Sequence, residues 1–365
     1  SFIRSPRPRP ARFGLNWKRV AAAPHLPPDM LLVPALLIFA AGAATAADFL
    51  PQKPEALIDG QVMAVCYSGF RRGQHPDRGE GAKNPSREEI LEDLRLLEAA
   101  GFRFLRLYDS RENSRTVLEL VRTEKLPIKV MLGAWLDAET STHGSCAWVT
   151  EEVPADKLAA NRAANDEEVG RAIELARSYP DVVAAVNIGN ETLVDWNDHR
   201  VPVGRLVGLL QKAREALDQP VTTAENYAAW VRDAKELAGA VDFAGVHTYP
   251  VWENKTLAEA MAFTRENLTA VQQALPGVPL AVVEAGWATT ASEFPEQASE
   301  DNQEVYFNDL LSWAKANNVT IFWFEAFDED WKGDAANASG AEKHWGLFDV
   351  DRQPKKVART SLPLA

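Results

Sequence analysis

The chain has 365 residues, with 52 acidic side chains against 39 basic ones and a formal net charge of -13. Hydrophobic residues make up 46% and charged residues 25%, a globular balance that excludes disorder, collagen and coiled coil as descriptions of the whole chain. The first 47 residues hold six of the basic side chains and one acidic one, so residues 48–365 are more acidic still. Such a surface repels phosphate backbones and anionic lipids, and we therefore expect no nucleic-acid partner. The 11 Trp residues instead favour a neutral ligand with apolar faces.

Residues 30–47 form an uncharged apolar run, MLLVPALLIFAAGAATAA, behind a basic and Pro-rich stretch. This order is typical of a signal peptide, and the small residues predict cleavage near Ala46 or Ala47. An uncleaved membrane anchor is the alternative, because the run is long enough to span a bilayer. We therefore divide the chain into 1–47, a signal peptide or N-terminal anchor, and 48–365, one catalytic domain. Contact with a membrane is expected only through an uncleaved 1–47.

Only two cysteines occur, Cys66 and Cys146, and the sequence leaves open whether they pair in an exported chain. Neither belongs to a CxxC pair or a Cys-His cluster, so no metal or thiol site is predicted. Five Asn-x-Ser/Thr sequons occur, one of them at Asn190 beside a candidate catalytic residue, Glu191. Glycosylation there would block the site, which favours a bacterial envelope, periplasmic or secreted, over a eukaryotic secretory route.

Short apolar runs alternate with longer amphipathic ones throughout 48–365. The predicted strands are near-continuous apolar runs, as in parallel sheets that are covered on both faces; they span 61–67, 103–108, 127–133, 182–188, 220–225, 241–246, 279–284 and 319–325. Predicted helices lie between them at 86–100, 111–124, 166–179, 202–217, 228–238, 255–275 and 298–317. This alternation predicts an α/β fold of the (β/α)8 TIM-barrel class. A doubly wound sheet is the competing architecture, but the Gly-rich phosphate turn typical of it is missing from the sequence.

The active site of such a barrel lies where its strands end, so the residues at those ends are the candidates for function. Glu191 ends the fourth strand segment and Glu284 ends the seventh. A carboxylate after an apolar run is costly unless it is hydrogen-bonded or functional. Two carboxylates facing each other across a cavity are what glycoside hydrolysis requires, whereas a salt bridge or cap at the rim is the alternative for either one alone.

Other polar and aromatic residues fall at the same strand ends. The candidates for lining the cleft are Tyr67, Arg71, Tyr108, Asp109, Trp135, Asn190, Glu225, His247, Tyr249, Trp287 and Glu325. Stacking on sugar rings is predicted for the loop tryptophans Trp135, Trp196, Trp252, Trp287, Trp331 and Trp345, and a core position for Trp313 and Trp323. No second His lies at metal-ligand spacing from His247, so we expect a wall residue there and no metal. The chain has neither a GxSxG elbow nor a P-loop, and acyl and phosphoryl transfer lack support.

Taken together, the motifs resemble glycoside hydrolase family 17, the β-1,3-glucanase family, and specifically its bacterial branch. The matching pieces follow the predicted strands in order: CYSGFRRGQ (66–74), RLYD (106–109), VMLGAW (130–135), NIGNE (187–191), VHTYP (246–250), VVEAGW (282–287), FEAFDEDWK (324–332) and HWGLFD (344–349). The resemblance implies a retaining mechanism, with Glu191 as the acid/base and Glu284 as the nucleophile. It further implies that Asn190 holds a sugar 2-hydroxyl and that Glu329 and Lys332 support the site.

The expected function is a retaining glycosidase that cleaves β-1,3-glucosidic bonds through a glucosyl-enzyme intermediate. A β-1,3-glucan transglycosylase using the same site and a non-catalytic carbohydrate-binding barrel are the alternatives. The expected partner is a β-glucan oligosaccharide or polysaccharide, and no cofactor is needed because carboxylates and positioning suffice. Retention predicts that the carboxylates of Glu191 and Glu284 lie about 5–5.5 Å apart.

Overall fold

The computed structural model describes residues 48–53, 60–77 and 81–364. Eight strands form a closed barrel in which each strand pairs in parallel with its neighbours in chain order and β8 closes on β1. The strands are β1 (Ala64–Cys66), β2 (Phe104–Arg106), β3 (Lys129–Ala134), β4 (Val183–Asn190), β5 (Val221–Asn226), β6 (Ala244–His247), β7 (Leu280–Ala285) and β8 (Ile321–Trp323). The predicted (β/α)8 barrel is confirmed.

Helices follow the strands and cover the outside of the barrel. They are α1 (Arg87–Ala99), α2 (Glu112–Thr123), α3 (Ala155–Ser178), α4 (Val203–Ala216), α5 (Tyr227–Arg232), α6 (Ala234–Leu237), α7 (Leu257–Ala274), α8 (Glu300–Asn317) and α9 (Lys356–Ser361), with 3₁₀ turns at Pro250–Glu253 and Ala341–Lys343. Ser86 and Glu89 form a capping box at the start of α1, and the apolar face of that helix, Ile90, Leu94 and Leu97, is buried.

Several predicted elements differ from the structure. Helix α3 begins at Ala155, well before the predicted 166, because its first turns are Ala-rich and carry little apolar periodicity. The predicted helix 228–238 is two short helices that meet at Asp233, whose backbone is not helical. Strands β1 and β8 are shorter than predicted. Apolar residues next to each strand are buried too, and burial alone does not mark where the strand ends.

A buried ion network ties α1 to the C-terminal segment. The Asp93 carboxylate is fully buried and accepts hydrogen bonds from Arg352 Nη2 at 2.8 Å and Arg71 Nη2 at 2.8 Å. The Tyr67 hydroxyl donates to the same carboxylate at 3.2 Å. Arg71 and Tyr67 thus direct polar groups at Asp93, so they join the segment after β1 to α1. Their expected role in lining the cleft stays a prediction.

The predicted signal peptide or anchor, 1–47, lies outside the described residues. Within the described ranges, no helix is both long and apolar enough to cross a membrane. Cys66 and Cys146 are both buried and unpaired. Burial raises the pKa of the Cys66 thiol to about 12, and its Sγ lies 3.3 Å from the Val283 carbonyl oxygen.

The Asp93 network predicts a large difference between two charge deletions on α1. We expect Asp93→Ala to lower the free energy of unfolding by about 3–5 kcal/mol, because it leaves Arg352 buried without its partner. Arg87→Ala removes an exposed pair with Glu119 and should cost about 0–1 kcal/mol. Urea denaturation measures both, and equal losses in the two variants would contradict the buried-pair account.

Candidate active site

The two predicted catalytic carboxylates meet at one histidine. His247 ends β6, is fully buried, and places Nδ1 3.0 Å from Glu191 Oε1 and 3.4 Å from Glu284 Oε2. Glu191 Oε1 and Glu284 Oε2 therefore lie no farther apart than the sum of these two distances. The limit applies to this one pair of oxygens, and it shows that the two carboxyl groups lie close together, as in retaining glycosidases.

Glu284 is held as an anion. The Tyr249 hydroxyl donates to its Oε2 at 2.7 Å, the Tyr108 hydroxyl donates to its Oε1 at 3.0 Å, and the Arg106 guanidinium donates to Oε1 as well. Burial would by itself raise the pKa of this carboxyl. The charges of His247 and Arg106 and the hydrogen bonds from Tyr249 and Arg106 outweigh burial and lower the pKa to about 2. Glu284 is consequently ionised at neutral pH, as a nucleophile must be.

The donors around Glu284 keep their protons. Burial, followed by neighbouring negative groups, raises the pKa of both Tyr108 and Tyr249 well above the usual tyrosine value. Arg106 lies at the end of β2 and is fully buried. It bridges the site, since Nη1 contacts Glu284 while Nη2 donates to Asn190 Oδ1. Arg106 was missed as a site residue, although an arginine inside the apolar run RFLRLY is a signal that could have revealed it.

The backbone of Glu191 has an unusual conformation, which sets the position of its side chain. Its φ is +50°, in the left-handed region, and it follows Gly189 with φ +82° at an irregularity in the pairing of β4 with β5. Non-glycine residues in this region cost about 1–3 kcal/mol and persist where the surroundings hold them. Here the Glu191 N–H donates to the Ala224 carbonyl at 2.7 Å, and Asn197 Nδ2 lies 3.3 Å from the Glu191 carbonyl oxygen. The strand thus ends in a turn that directs the carboxylate across the barrel mouth.

The two carboxylates have different surroundings. Glu191 contacts His247 through Oε1 and accepts from the Asn197 side-chain amide through Oε2 at 3.2 Å. Its side chain keeps 18% of its surface exposed, against 7% for Glu284. Arg106 and two phenols stabilise the negative charge of Glu284, whereas Glu191 faces solvent and neutral Asn197. Such a division is what an acid and a nucleophile need within one site.

Glu225 supports the turn after Glu191. The side chain is fully buried and accepts from Thr192 N at 2.9 Å, Thr192 Oγ1 at 2.7 Å and Leu193 N at 3.2 Å. Burial, aided by the charge of Glu191, raises the pKa of Glu225 to about 7 against the lowering effect of these bonds. The substrate contact expected from Glu225 stays a prediction.

A second charged cluster closes the β8 side of the mouth. Lys332 Nζ lies 2.8 Å from Glu329 Oε2 and donates to Glu325, with the Phe324 ring 4.5 Å away. Ser68 donates its hydroxyl to Glu329. Glu325 and Glu329 are almost fully buried, and both pair with Lys332. The support expected from Glu329 and Lys332 and the substrate contact expected from Glu325 stay predictions. Burial raises the pKa of Glu325 well above its usual value despite the charge of Lys332.

The remaining residues that were predicted to line the cleft differ in how much of their side chain is exposed. Trp287 is fully buried and donates its indole N–H to the Gln297 carbonyl at 2.9 Å, and Trp345 is buried too, so these two predictions are corrected to core positions. Asp109 accepts from Ser114 Oγ at 2.7 Å, which stabilises the start of α2. Trp323 is buried in the core as predicted, whereas Trp313 is only partly buried against Phe49.

Aromatic surface remains around the mouth. Trp196 and Trp252 are 47% and 39% exposed, and Trp135 is half-buried with its ring centre 4.6 Å from that of His199. Trp148 is the most exposed tryptophan among the described residues, at 60%, and was missed because it lies far along the loop after β3 and not at the end of that strand. Trp331 is half-buried, and its ring packs edge-on against Phe70. Indole faces are therefore available beside the carboxylates.

Two facing carboxylates at the mouth of a parallel barrel define a glycosidase-type site. Residues 64–346 match the family described as the BtgE/BtgC glycoside hydrolase domain, and the chain belongs to this family. The predicted resemblance to glycoside hydrolase family 17 is thereby confirmed. Its bacterial branch stays a prediction.

Individual relatives agree with the family. The chain is 28% identical over 309 residues to a glucan 1,3-beta-glucosidase of Arthroderma benhamiae, covering 80% of this chain and 91% of that one. An endo-laminarinase from Formosa Hel1_33_131 superposes with a TM-score of 0.70 at 26% identity, over 82% and 86% of the two chains. A family 17 beta-1,3-glucanosyltransferase from Rhizomucor miehei shares the fold, with a TM-score of 0.63 at 21% identity over 82% and 97%.

The hydrogen bonds to Glu284 predict a pH effect. Tyr249→Phe removes one donor that lowers the pKa of Glu284, so that pKa should rise from about 2 toward its ordinary value. Since protonated Glu284 is inactive, the acid limb of kcat/KM for a soluble oligosaccharide should move to higher pH. Tyr227→Phe on α5, whose ring packs on Phe263, is the matched control and should leave the limb in place. An acid limb that does not move in Tyr249→Phe would contradict this electrostatic account.

Proposed function

We propose that the protein is a retaining glycosidase acting on β-1,3-glucan, with Glu284 as nucleophile and Glu191 as acid/base. The observation that carries this proposal is the convergence of an ionised, buried Glu284 and a more exposed Glu191 on the same His247 nitrogen. The names of the relatives, a glucan 1,3-beta-glucosidase and an endo-laminarinase, support the substrate class.

In the first step Glu284 attacks the anomeric carbon of a glucosyl unit, and protonated Glu191 donates its proton to the departing glycosidic oxygen. A glycosyl ester forms on Glu284 as the glycosidic bond breaks. Arg106 and the two phenols stabilise the carboxylate before attack and hold its orientation, which limits the motion needed to reach the transition state. The side-chain amide of Asn190, whose oxygen is occupied by Arg106, presents its N–H groups to a sugar hydroxyl.

In the second step ionised Glu191 takes a proton from the acceptor, whose oxygen attacks the anomeric carbon and releases Glu284. Two inversions give net retention. Water as acceptor gives hydrolysis, and a sugar hydroxyl gives transfer. The relatives include an endo-laminarinase and a glucanosyltransferase, so both outcomes belong to the proposed chemistry. A binding barrel without catalysis is disfavoured, because both carboxylates are present and placed to react. Export to the cell envelope, through residues 1–47, is part of the proposal.

The assigned roles predict different behaviour of two alanine variants. Glu191→Ala should lower turnover of a linear β-1,3-glucan by about 10²–10⁴-fold through loss of acid catalysis. Glu284→Ala should lose turnover altogether. Added azide should then give a β-glycosyl azide with Glu191→Ala and an α-glycosyl azide with Glu284→Ala, as NMR of the products can determine.

Glu215→Ala, which removes an exposed glutamate on α4, serves as the control and should turn over normally. Azide products with the two anomeric configurations exchanged would reverse the roles of the carboxylates. Near-normal glucan turnover in either active-site variant would reject the assignment of that residue.

A further inference from the structure

Trp148 lies in the loop between β3 and α3, and 60% of its surface is exposed. Trp196, in the loop that follows β4, is 47% exposed. Trp side chains are enriched at binding interfaces because they join a large apolar ring to one polar N–H. Glu191 lies at the end of β4, so both tryptophans belong to loops that flank it.

The loop that carries Trp148 is firmly built. Glu139 N and Thr140 N donate to the Arg200 carbonyl at 2.9 and 3.1 Å, which joins the loop after β3 to the loop after β4. Asn161 Nδ2 donates to the Ala138 carbonyl at 2.8 Å. Next to Trp148 itself, Val149 N donates to the carbonyl of buried Cys146 at 3.2 Å. The exposed indole is therefore carried on a loop that is fixed by many internal hydrogen bonds.

A chain of polar contacts connects Trp148 to the residue before Glu191. The pKa of Asp198 is lowered chiefly by its hydrogen bond with His199 and also by the indole N–H of Trp148, which places these groups together. His199 Nδ1 lies 3.0 Å from Asp198 Oδ1, and His199 Nε2 lies 2.8 Å from the Asn190 carbonyl oxygen. Because both neighbours of the imidazole are acceptors, its protonated form satisfies both contacts at once.

The roles proposed for the two carboxylates indicate which part of the substrate would contact this aromatic surface. The acid/base must reach the glycosidic oxygen, and that oxygen belongs to the part of the substrate that leaves or, in the second step, arrives. The unit bonded to Glu284 lies on the other side of the cleavage point. We therefore expect aromatic surface anchored to the loop of Glu191 to lie on the acceptor side, where an indole face suits the apolar C–H face of a sugar ring.

We infer that Trp148, anchored by Asp198 and His199, is the platform of an acceptor subsite that takes a second β-glucan chain and favours transfer over hydrolysis. This inference rests on the proposed function. In the transfer step the ester bond between Glu284 and the anomeric carbon breaks, a bond from an acceptor hydroxyl oxygen forms, and the hydroxyl proton passes to Glu191. A bound acceptor competes with water because its hydroxyl is held in position, which raises its effective concentration.

The test uses β-laminaribiosyl fluoride as donor and laminaritriose as acceptor, with the full chain. Fluoride release reports formation of the glycosyl-enzyme and leaves no sugar in the acceptor space. Chromatography then divides the products into laminaribiose from hydrolysis and longer chains from transfer. We expect Trp148→Ala to raise the acceptor concentration that gives half-maximal transfer by roughly tenfold, as for truncation of an aromatic hot spot. Trp148→Phe, which keeps a flat ring, should recover most of the loss.

Leu50→Ala is the matched control. Leu50 is exposed, and its backbone N–H donates to the Gln272 side chain, while nearby Gln52 bonds to Leu280 at the first residue of β7, so it lies at the opposite end of the barrel. Its acceptor response should equal that of the unmodified protein. If the unmodified protein releases no fluoride, the proposed function fails. If it releases fluoride and Trp148→Ala has an unchanged acceptor response, the acceptor platform is wrong while the proposed function stands.

Discussion

The buried negative charge of Glu284 is the constraint on which the rest of the site depends. Removing an ionised carboxylate from water costs several kcal/mol, and that cost must be offset by partners within the barrel. Arg106 and Tyr108 come from the end of β2, His247 and Tyr249 come from the end of β6, and all four meet at this one carboxylate on β7. Only a closed barrel brings those strand ends so close together. The architecture and the chemistry are therefore linked through a single anion.

The same contacts give the two carboxylates different electrostatic surroundings. Arg106 contacts Glu284 directly and reaches the Glu191 side only through the side chain of Asn190. Glu191 has a left-handed backbone conformation. Buried Glu225 accepts a hydrogen bond from the backbone of the next residue, and the neutral Asn197 amide donates to the Glu191 carboxylate. Glu284 is kept charged by its donors, whereas Glu191 keeps 18% of its side-chain surface exposed beside a neutral amide. A retaining mechanism needs this pair of roles within a short distance.

The sequence predicted the parts of the fold that follow from periodicity. Eight apolar runs at regular spacing lead to a barrel, and a rule about strand ends then leads to Glu191 and Glu284 before any contact is known. Helix α3 was predicted too short because Ala-rich turns carry no apolar stripe. Residue type and strand position could not show which direction a side chain takes. Tyr67, Arg71 and Trp287 stand at strand ends, yet their polar groups bond to Asp93 on α1 or to a backbone carbonyl. Trp148 was missed because it lies far along the loop after β3, and only the folded loop brings it to Asp198.

Covalent trapping tests the central claim most directly. A 2-deoxy-2-fluoro-β-laminaribiosyl fluoride should react with the protein and form a glycosyl ester that breaks down slowly, because the fluorine destabilises both transition states. After proteolysis, mass spectrometry should find the added sugar on the peptide that contains Glu284, with loss of activity in proportion to labelling. A sugar attached to a different residue, or an enzyme that turns over glucan with inversion and is never labelled, would contradict the account.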